Sequence, residues 1–428
     1  MERFDAAVVG AGPAGSSAAY SLAKRGYEVL LVERANIPGQ KNMFGGRIYS
    51  YSLRKLLGDD WNRAPIERFI TRENMVFLDD DSAVTLQYDS PRTAGSPVLS
   101  FTALRGSFDK WLAKRAEEAG AMMITGIKVD DLWREHGLVK GLVAGKDRVQ
   151  ADLVIVADGA LSLLAKSAGL RDEMLPGEVS IGVKETVELP EKVIEERFNL
   201  EEGEGSAYVF AGYATNWIPG GGFLYTNRSS LSLGIVAKAE EVSLRKIEIH
   251  DLMESFKLHP VVQRLVKGGK VVEYSAHLIP DMGLRMMPRS YGDGILVAGD
   301  AAGFLLNNGY TFRGVDLAIV SGMAAAETYE LAREAGDFSA TTLRAYESNL
   351  RAHSVMEDLV TFRRAPYYLK NPRLYSSYPK LLCNLMERIY TIDGLPKEKV
   401  ACVLLKEAAK TVSIPGAIAD LVNGAFSM

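Results

Sequence analysis

Asp5-Ala-Ala-Val-Val-Gly-Ala-Gly-Pro-Ala-Gly15 opens the chain as a strand, a turn and the start of a helix. Ala6 to Val9 reads as a buried strand, Gly10, Gly12 and Gly15 with Pro13 and Ala14 between them as a tight turn, and Ser16 to Arg25 as a helix. In such a unit the first glycine permits the turn, the second lets a pyrophosphate approach bare backbone, and the third lets helix pack on strand. The free N–H groups and the dipole at the helix N-terminus favour the anion. A second strand, Glu28 to Val32, ends on Glu33, about 20 residues beyond the glycines, where a carboxylate accepts hydrogen bonds from a ribose diol; Arg34 follows it. Far downstream, Gly294-Ile-Leu-Val-Ala-Gly-Asp300 is a second strand ending on Gly-Asp. There Gly299 and Asp300 are expected beside a ribityl chain, with the following helix aiming its positive end at the N1–C2=O edge of a flavin. The two stretches together specify FAD rather than NAD.

Size and composition bound the rest. A chain of 428 residues is long enough for two or three substructures around one large cofactor. Hydrophobic residues make up 47% and charged residues 24%, and a net charge of −4 gives no global attraction to nucleic acid. Two cysteines, Cys383 and Cys402, cannot supply the four thiolates an iron–sulfur cluster takes, so any cluster is expected on another chain. The histidines His136, His250, His259, His277 and His353 lack metal-ligand spacing, and no metal site is expected. With no basic leader before the fingerprint and no apolar run near the length of a membrane span, the protein is expected in the cytoplasm or on the cytoplasmic face of a membrane.

Beyond the first unit, Ile37-Pro-Gly-Gln-Lys-Asn-Met-Phe-Gly-Gly-Arg-Ile-Tyr49 is too polar and glycine-rich for a regular element. Lys41, Asn42, Gly45 and Gly46 would lie against a flat isoalloxazine ring; a solvated surface loop is the alternative. Met75 to Thr85 and Val98 to Phe101 read as a small antiparallel insertion at about 70–101. Arg105 precedes an amphipathic helix carrying Phe108, Trp111, Leu112 and Ala116, and either reaches the cofactor phosphates or makes a surface salt bridge. A short strand from Ala121 to Val129 follows, then a hairpin from Asp131 to Ala144 turning at His136-Gly137, and a buried strand ending on Asp158-Gly159 beneath the cofactor.

From about Ser180 to His277 the pattern changes to alternating strands, Ser180 to Glu188, Ser206 to Ala211, Gly222 to Thr226 and Ser230 to Val236. At its centre Gly220, Gly221 and Gly222 precede Phe223 and Tyr225, a mix that suits a flat apolar substrate, with hairpin packing as the alternative. Past Asp300, Asn308 and Gly309 fall in the stretch before a helix from about Gly314 to Ala335. The expected class is α/β (α+β). A Rossmann-like FAD-binding domain of the two-dinucleotide-fold type spans 1–175 and 283–337, an antiparallel-sheet substrate domain 176–282, and a helical region 338–428. In that last region tyrosines alternate with basic residues over 363–380, and Leu381, Leu382, Leu385, Met386 and Ile389 form an apolar stripe. The stripe either meets lipid head groups or packs as a cap helix.

Pro38-Gly-Gln-Lys-Asn-Met-Phe-Gly-Gly46, Gly220-Gly-Gly-Phe-Leu-Tyr225, Gly299-Asp-Ala-Ala-Gly303 and Asn307-Asn-Gly-Tyr-Thr-Phe-Arg-Gly-Val-Asp316 resemble the FixC branch of the electron-transfer-flavoprotein:quinone oxidoreductases over nearly the whole chain. The resemblance implies FAD accepting electrons from a two-subunit electron transfer flavoprotein and passing them to a membrane quinone. Larger members carry a ferredoxin-like domain with a 4Fe–4S cluster; its cysteines are missing here, which implies a separate ferredoxin-like partner of the FixX type. The same resemblance implies a place in a larger complex, one able to bifurcate electrons, and peripheral membrane contact. A geranylgeranyl reductase saturating isoprenoid double bonds, an aromatic hydroxylase and a non-catalytic flavin relay are the competing readings.

Overall fold

The computed structural model describes residues 2–40, 46–91, 97–281, 284 and 287–428. Two sheets dominate. The first has eight strands along the path Tyr291–Gly292, Ile295–Val297, Asp147–Val156, Arg3–Val9, Val29–Glu33 and Met122–Thr125, with the hairpin Asp131–Glu135 and Leu138–Ala144 hung on Asp147–Val156. Arg3–Val9 pairs in parallel with both neighbours, Ala6 opposite Leu153 on one side and Val29 on the other. Parallel strands covered on both faces need no polar alternation, which is why Ala6 to Val9 and Leu153 to Val156 are apolar throughout.

The fingerprint helix is Pro13–Ala23, starting three residues earlier than its periodicity suggests. Gly10 has φ +99, and a Cβ there would lie 2.3 Å from the Ala157 carbonyl oxygen; a Cβ at Gly15 would lie 1.8 Å from that of Gly10. Both glycines are therefore imposed by backbone approach within the layer itself. The long helix Val315–Ala335 crosses Pro13–Ala23 at Gly322, where a Cβ would stand 2.2 Å from the Ala14 carbonyl oxygen. That crossing joins segments 300 residues apart through small side chains, Ala14, Ser17, Ala18 and Gly322.

The second sheet has nine strands, in the order Lys270–Pro280, Val179–Glu188, Ser230–Lys238, Gly220–Thr226, Glu204–Gly212, Arg68–Leu78, Ser100–Thr102 and Arg47–Tyr49, with Ala83–Asp89 paired to Arg68–Leu78. It takes in the small β insertion expected at about 70–101 within the FAD-binding domain. Those strands are antiparallel to one another, but Arg68–Leu78 also pairs in parallel with Glu204–Gly212, so they extend the substrate sheet. Pairing removes an open edge that the short segment would otherwise present.

A correction concerns 180–277, read as strands alone. The helices Glu191–Phe198, Ala239–Leu244, Ile249–Leu258 and Pro260–Val266 lie within it. Their Ile194, Phe198, Met253, Phe256 and Val262 form one core with Val183, Val187, Leu224, Leu233 and Ile235 of the sheet. The long strand Lys270–Pro280 escaped the reading because it is an edge whose Val271, Val272 and Leu278 are exposed, without alternation.

In the C-terminal region the apolar stripe turns inward only in part: Leu385 is buried, while Leu381, Leu382, Met386 and Ile389 are half-buried. Helix Ser377–Tyr390 lies over the Arg68–Leu78 and Ala83–Asp89 strands, burying Pro379, Cys383 and Leu385, with the Cys383 thiol 3.5 Å from the Phe77 carbonyl oxygen. The tyrosine-rich basic segment is also tied internally. Arg373 donates to Asp420 at 2.6 and 2.7 Å, and Tyr378 donates to the same carboxylate. Exposed apolar side chains in this region include Ile392 and Leu395 between the helices, and others on Val400–Thr411 and Ile414–Ser427, notably Leu421 at 75% and Phe426 at 73% exposure. Among the described residues no helix is long and apolar enough to cross a membrane.

Hydrogen bonds from Arg373, opposed by burial and joined by Tyr378, hold the Asp420 carboxyl below the usual carboxylate range. A depressed folded-state pKa contributes stability above the unfolded value and loses it as pH falls. The amide protection factors of Ile414–Ser427, corrected for the intrinsic exchange rate, are therefore expected to fall below about pH 4 in the wild type. Asp420→Asn is expected to show fast exchange already at neutral pH, and equal protection in the two proteins would refute the tether.

Candidate cofactor and acceptor site

Four parallel strands end together at one edge of the first sheet, placing Gly10, Glu33, Asp158 and Gly299-Asp300 around one crevice. In open α/β sheets ligands enter outside the carboxyl ends of the strands. Gly12 is the N-cap of Pro13–Ala23 and supplies no side-chain cap, so the first-turn N–H groups face the crevice without a side-chain acceptor. Glu33 accepts the Ala11 N–H at 2.9 Å and the Ala35 N–H at 2.8 Å, which aims its carboxylate along the turn. Gly299 packs against the first turn of that helix, a Cβ on it falling 2.9 Å from the Ala14 Cβ, and its N–H donates to Ser321 Oγ at 3.0 Å.

Charges gather beside Asp300. Burial raises the pKa of its carboxyl, while Arg105, His277 and Arg171 act against that rise. Arg105 makes a bidentate pair with the buried Asp109, at 2.8 and 2.9 Å, so the expected surface alternative gives way to a buried, oriented guanidinium. Arg171 donates to the Ala301 carbonyl oxygen at 3.1 Å, yet its Nε has no partner among the described residues, and neither has the buried Asp158 Oδ1. Orphaned buried polar atoms of both signs, on Arg171 and Asp158 beside Asp300, suit a ligand with both acceptors and hydroxyl donors, as a pyrophosphate and a ribityl chain provide. The residues present therefore fit FAD.

The face of the second sheet opposite its helices carries Lys184, His277, Phe223 and Tyr225, since Lys184 pairs with Gly234, and Gly234 with Phe223. Lys184 is held by Glu273 at 3.2 Å, and burial, with Arg105, lowers its pKa. Burial and the charges of Arg105 and Arg34 lower that of His277 against the pull of Asp300. No motif surrounds Lys184, His277 or Arg171 in the sequence; only the packing of two layers brings His277 and Arg171 to Asp300, and Lys184 toward Arg105.

The three glycines before Phe223 divide by alternation. A Cβ on Gly222 would stand 2.6 Å from Phe256 Cζ, within the helix-covered core, so Gly222 serves packing there, and Gly220 shares its side. Gly221, Phe223 and Tyr225 face the other way. Phe223 and Tyr225 stack at 5.3 Å, and a Cβ on Gly46 would lie 2.7 Å from the Tyr225 ring. Lys41, Asn42 and Gly45 lie outside the described residues. Asn308 closes a small hairpin by accepting the Thr311 N–H at 2.8 Å, and Gly309, at φ +87, packs on Leu369; both shape a turn. Gly159 is a left-handed turn residue after Asp158, Arg34 is exposed, and Val129 packs on the first core.

Beside Gly46 stand Arg47 and Tyr49. Arg47 is paired with Glu73 at 2.8 Å and lies 4.8 Å from the Tyr49 ring, which Arg313 approaches from 5.9 Å. Arg313 bridges Asp316 at 2.7 Å and Tyr51 at 2.8 Å, and also pairs with Asp358. The period-two spacing of Arg47 and Tyr49 is the signal that could have placed these two side chains on one strand face; Tyr51 already lies in the helix Ser50–Leu57.

A nucleotide crevice closed by a second, largely antiparallel sheet with an aromatic wall defines an FAD-dependent oxidoreductase. Residues 8–65 match the NAD(P)-binding Rossmann-like domain, residues 106–328 the FAD dependent oxidoreductase family, and residues 365–428 the ETF-QO/FixC family C-terminal domain. The chain is 42% identical over 427 residues to the "Probable electron transfer flavoprotein-quinone oxidoreductase YdiS" of Escherichia coli, covering 100% of this chain and 99% of that one. It is 44% identical over 407 residues to Protein FixC of Salmonella typhimurium, covering 95% of each. The chain belongs to the electron transfer flavoprotein-quinone oxidoreductase/FixC family. Its fold is also that of a geranylgeranyl bacteriochlorophyll reductase-like protein from Thermoplasma acidophilum, with a TM-score of 0.74 at 21% identity, covering 99% of this chain and 100% of that one.

Proposed function

We propose that the protein takes electrons from a two-subunit electron transfer flavoprotein and delivers them to a membrane quinone. The observation that carries this reading is the aromatic wall of Phe223 and Tyr225 beside Gly46, on the sheet face turned away from the helices. A bound flavin accepts electrons singly or in pairs, which matches one-electron donors to a two-electron acceptor. Gly10, Gly12, Pro13, Ala14 and Gly15 would receive the pyrophosphate, Glu33 the ribose, and Arg105, Asp158, Gly299 and Asp300 the chain between phosphates and ring. Gly221, Phe223 and Tyr225 would line the acceptor side, where apolar surface excludes water and a flat ring can stack.

Among the described residues no cluster of metal-ligating side chains occurs, and with two cysteines a 4Fe–4S cluster, if the reaction uses one, belongs to a ferredoxin-like partner of the FixX type. Such a set of subunits would form a larger, bifurcating complex. The exposed Ile418, Leu421 and Phe426 give Ile414–Ser427 an apolar face suited to the cytoplasmic surface of a membrane, where the quinone resides.

The test is anaerobic. The purified holoprotein, reduced photochemically, is mixed with a short-chain quinone and separately with geranylgeranyl diphosphate, and flavin absorbance is followed. Saturable reoxidation by quinone is expected; reoxidation by the isoprenoid alone, with a saturated product, would replace this reading by an isoprenoid reductase. In parallel, Leu421→Asp with Phe426→Asp is expected to abolish co-flotation with anionic liposomes while leaving soluble quinone turnover unchanged.

A further inference from the structure

The Tyr49 hydroxyl is buried and has no hydrogen-bond partner among the described residues. Buried hydroxyls without partners are uncommon because burial strips them of water and leaves the donor unsatisfied. The orphan sits on Arg47–Tyr49, three residues after Gly46, whose own position abuts the Tyr225 ring. Both neighbouring cations are already engaged, Arg47 by Glu73 and Ser100, Arg313 by Asp316, Asp358 and Tyr51. Their guanidiniums nevertheless approach the Tyr49 ring, at 4.8 and 5.9 Å. Three carboxylates against two guanidiniums leave no surplus positive charge to draw an anion, and one neutral donor is left over near Phe223 and Tyr225.

A neutral, flat molecule with a hydrogen-bond acceptor on its ring matches that remainder. We propose that Tyr49 Oη donates a hydrogen bond to a carbonyl oxygen of the quinone, which orients the ring against Phe223 and Tyr225. This rests on the quinone reading above. Burial raises the Tyr49 pKa against the charge of Arg47, so the phenol keeps its proton and acts as a donor throughout. Overall the quinone gains two electrons, which bound reduced FAD would supply, and two protons, which that flavin and solvent would supply between them, to become the quinol. Tyr49 loses nothing. Its hydrogen bond strengthens as negative charge builds on the carbonyl oxygen.

The experiment uses the holoprotein with Tyr49→Phe, reduced anaerobically and mixed with a short-chain quinone or with ferricyanide, which accepts single electrons and has no carbonyl. FAD content and melting temperature are measured on the same samples. About a tenfold fall in the quinone kcat is expected, the size of one hydrogen bond to a developing charge. KM and the ferricyanide rate should stay within about twofold. A quinone rate like the wild type's, or equal losses with both acceptors, overturns the assignment. A wild type whose flavin is not reoxidised saturably by quinone overturns the acceptor reading itself, and this assignment with it.

Discussion

Gly10→Val is expected to yield a protein without bound FAD, about 3–5 kcal/mol less stable than the wild type if it folds at all. A Cβ at Gly10 meets the Ala157 carbonyl oxygen at 2.3 Å and its carbon at 2.9 Å, and both belong to backbone held in the parallel sheet. The residue's φ of +99 adds strain for any side chain. Neither the turn nor the neighbouring strand end can yield without uncoupling Arg3–Val9 from Asp147–Val156. Gly26→Ala is the control. That glycine also has positive φ, +86, but a Cβ there meets nothing within 4 Å, so the cost is only that of the backbone, about 1 kcal/mol. Flavin absorbance per polypeptide and urea unfolding check both proteins. Stoichiometric FAD in Gly10→Val would sink the account of the turn.

Arg68→Met is expected to cost about 3–5 kcal/mol, because it breaks a buried charged network from one side. The Arg68 side chain is fully buried. Its Nε donates to the Asn227 carbonyl oxygen at 2.8 Å, Nη1 to that of Glu204 at 3.0 Å, Nη2 to that of Arg228 at 3.2 Å, and both terminal nitrogens to Glu195 at 3.2 Å. One side chain thus ties Arg68–Leu78 to the Glu204–Gly212 strand, to the turn after Gly220–Thr226 and to the helix Glu191–Phe198. Methionine fills the volume and leaves three carbonyls and a carboxylate without their donor. Glu195→Gln should cost much less, since the backbone bonds survive it. Thermal unfolding distinguishes the two variants; a loss below about 1 kcal/mol for Arg68→Met would mean that the network is dispensable.

The nucleotide layer was legible because its signals are local. Gly10 and Gly15 are required by contacts made inside one strand–turn–helix unit, and Asp300 follows a strand of unbroken apolar residues. Even there the reading stopped short: it had no means of seeing that Gly299 touches Ala14, or that Gly322 lets a helix 300 residues later cross the same turn. The glycines at 220–222 were legible as unusual but not in role. Alternation sends Gly222 toward Phe256 and Phe223 the opposite way, and which side faces the crevice depends on helices that the strand pattern concealed. The C-terminal stripe shows the same ambiguity. The stripe carries the periodicity of either a lipid face or a packed face; Leu385 is buried where the helix meets the Arg68–Leu78 and Ala83–Asp89 strands, while Leu381, Leu382, Met386 and Ile389 are half-buried.

By itself the sequence determined the cofactor class, the family and the Rossmann-like layer, since these rest on short-range backbone geometry and on words of fixed spacing. Only the tertiary structure decided that strands 68–89 join the second sheet, that His277 and Arg171 stand with Asp300 and Lys184 near Arg105, and that the Tyr49 hydroxyl has no partner among the described residues while two arginines approach its ring. Those are contacts between residues tens to hundreds of positions apart. They arise from burying faces against one another, and no local pattern encodes which faces will meet.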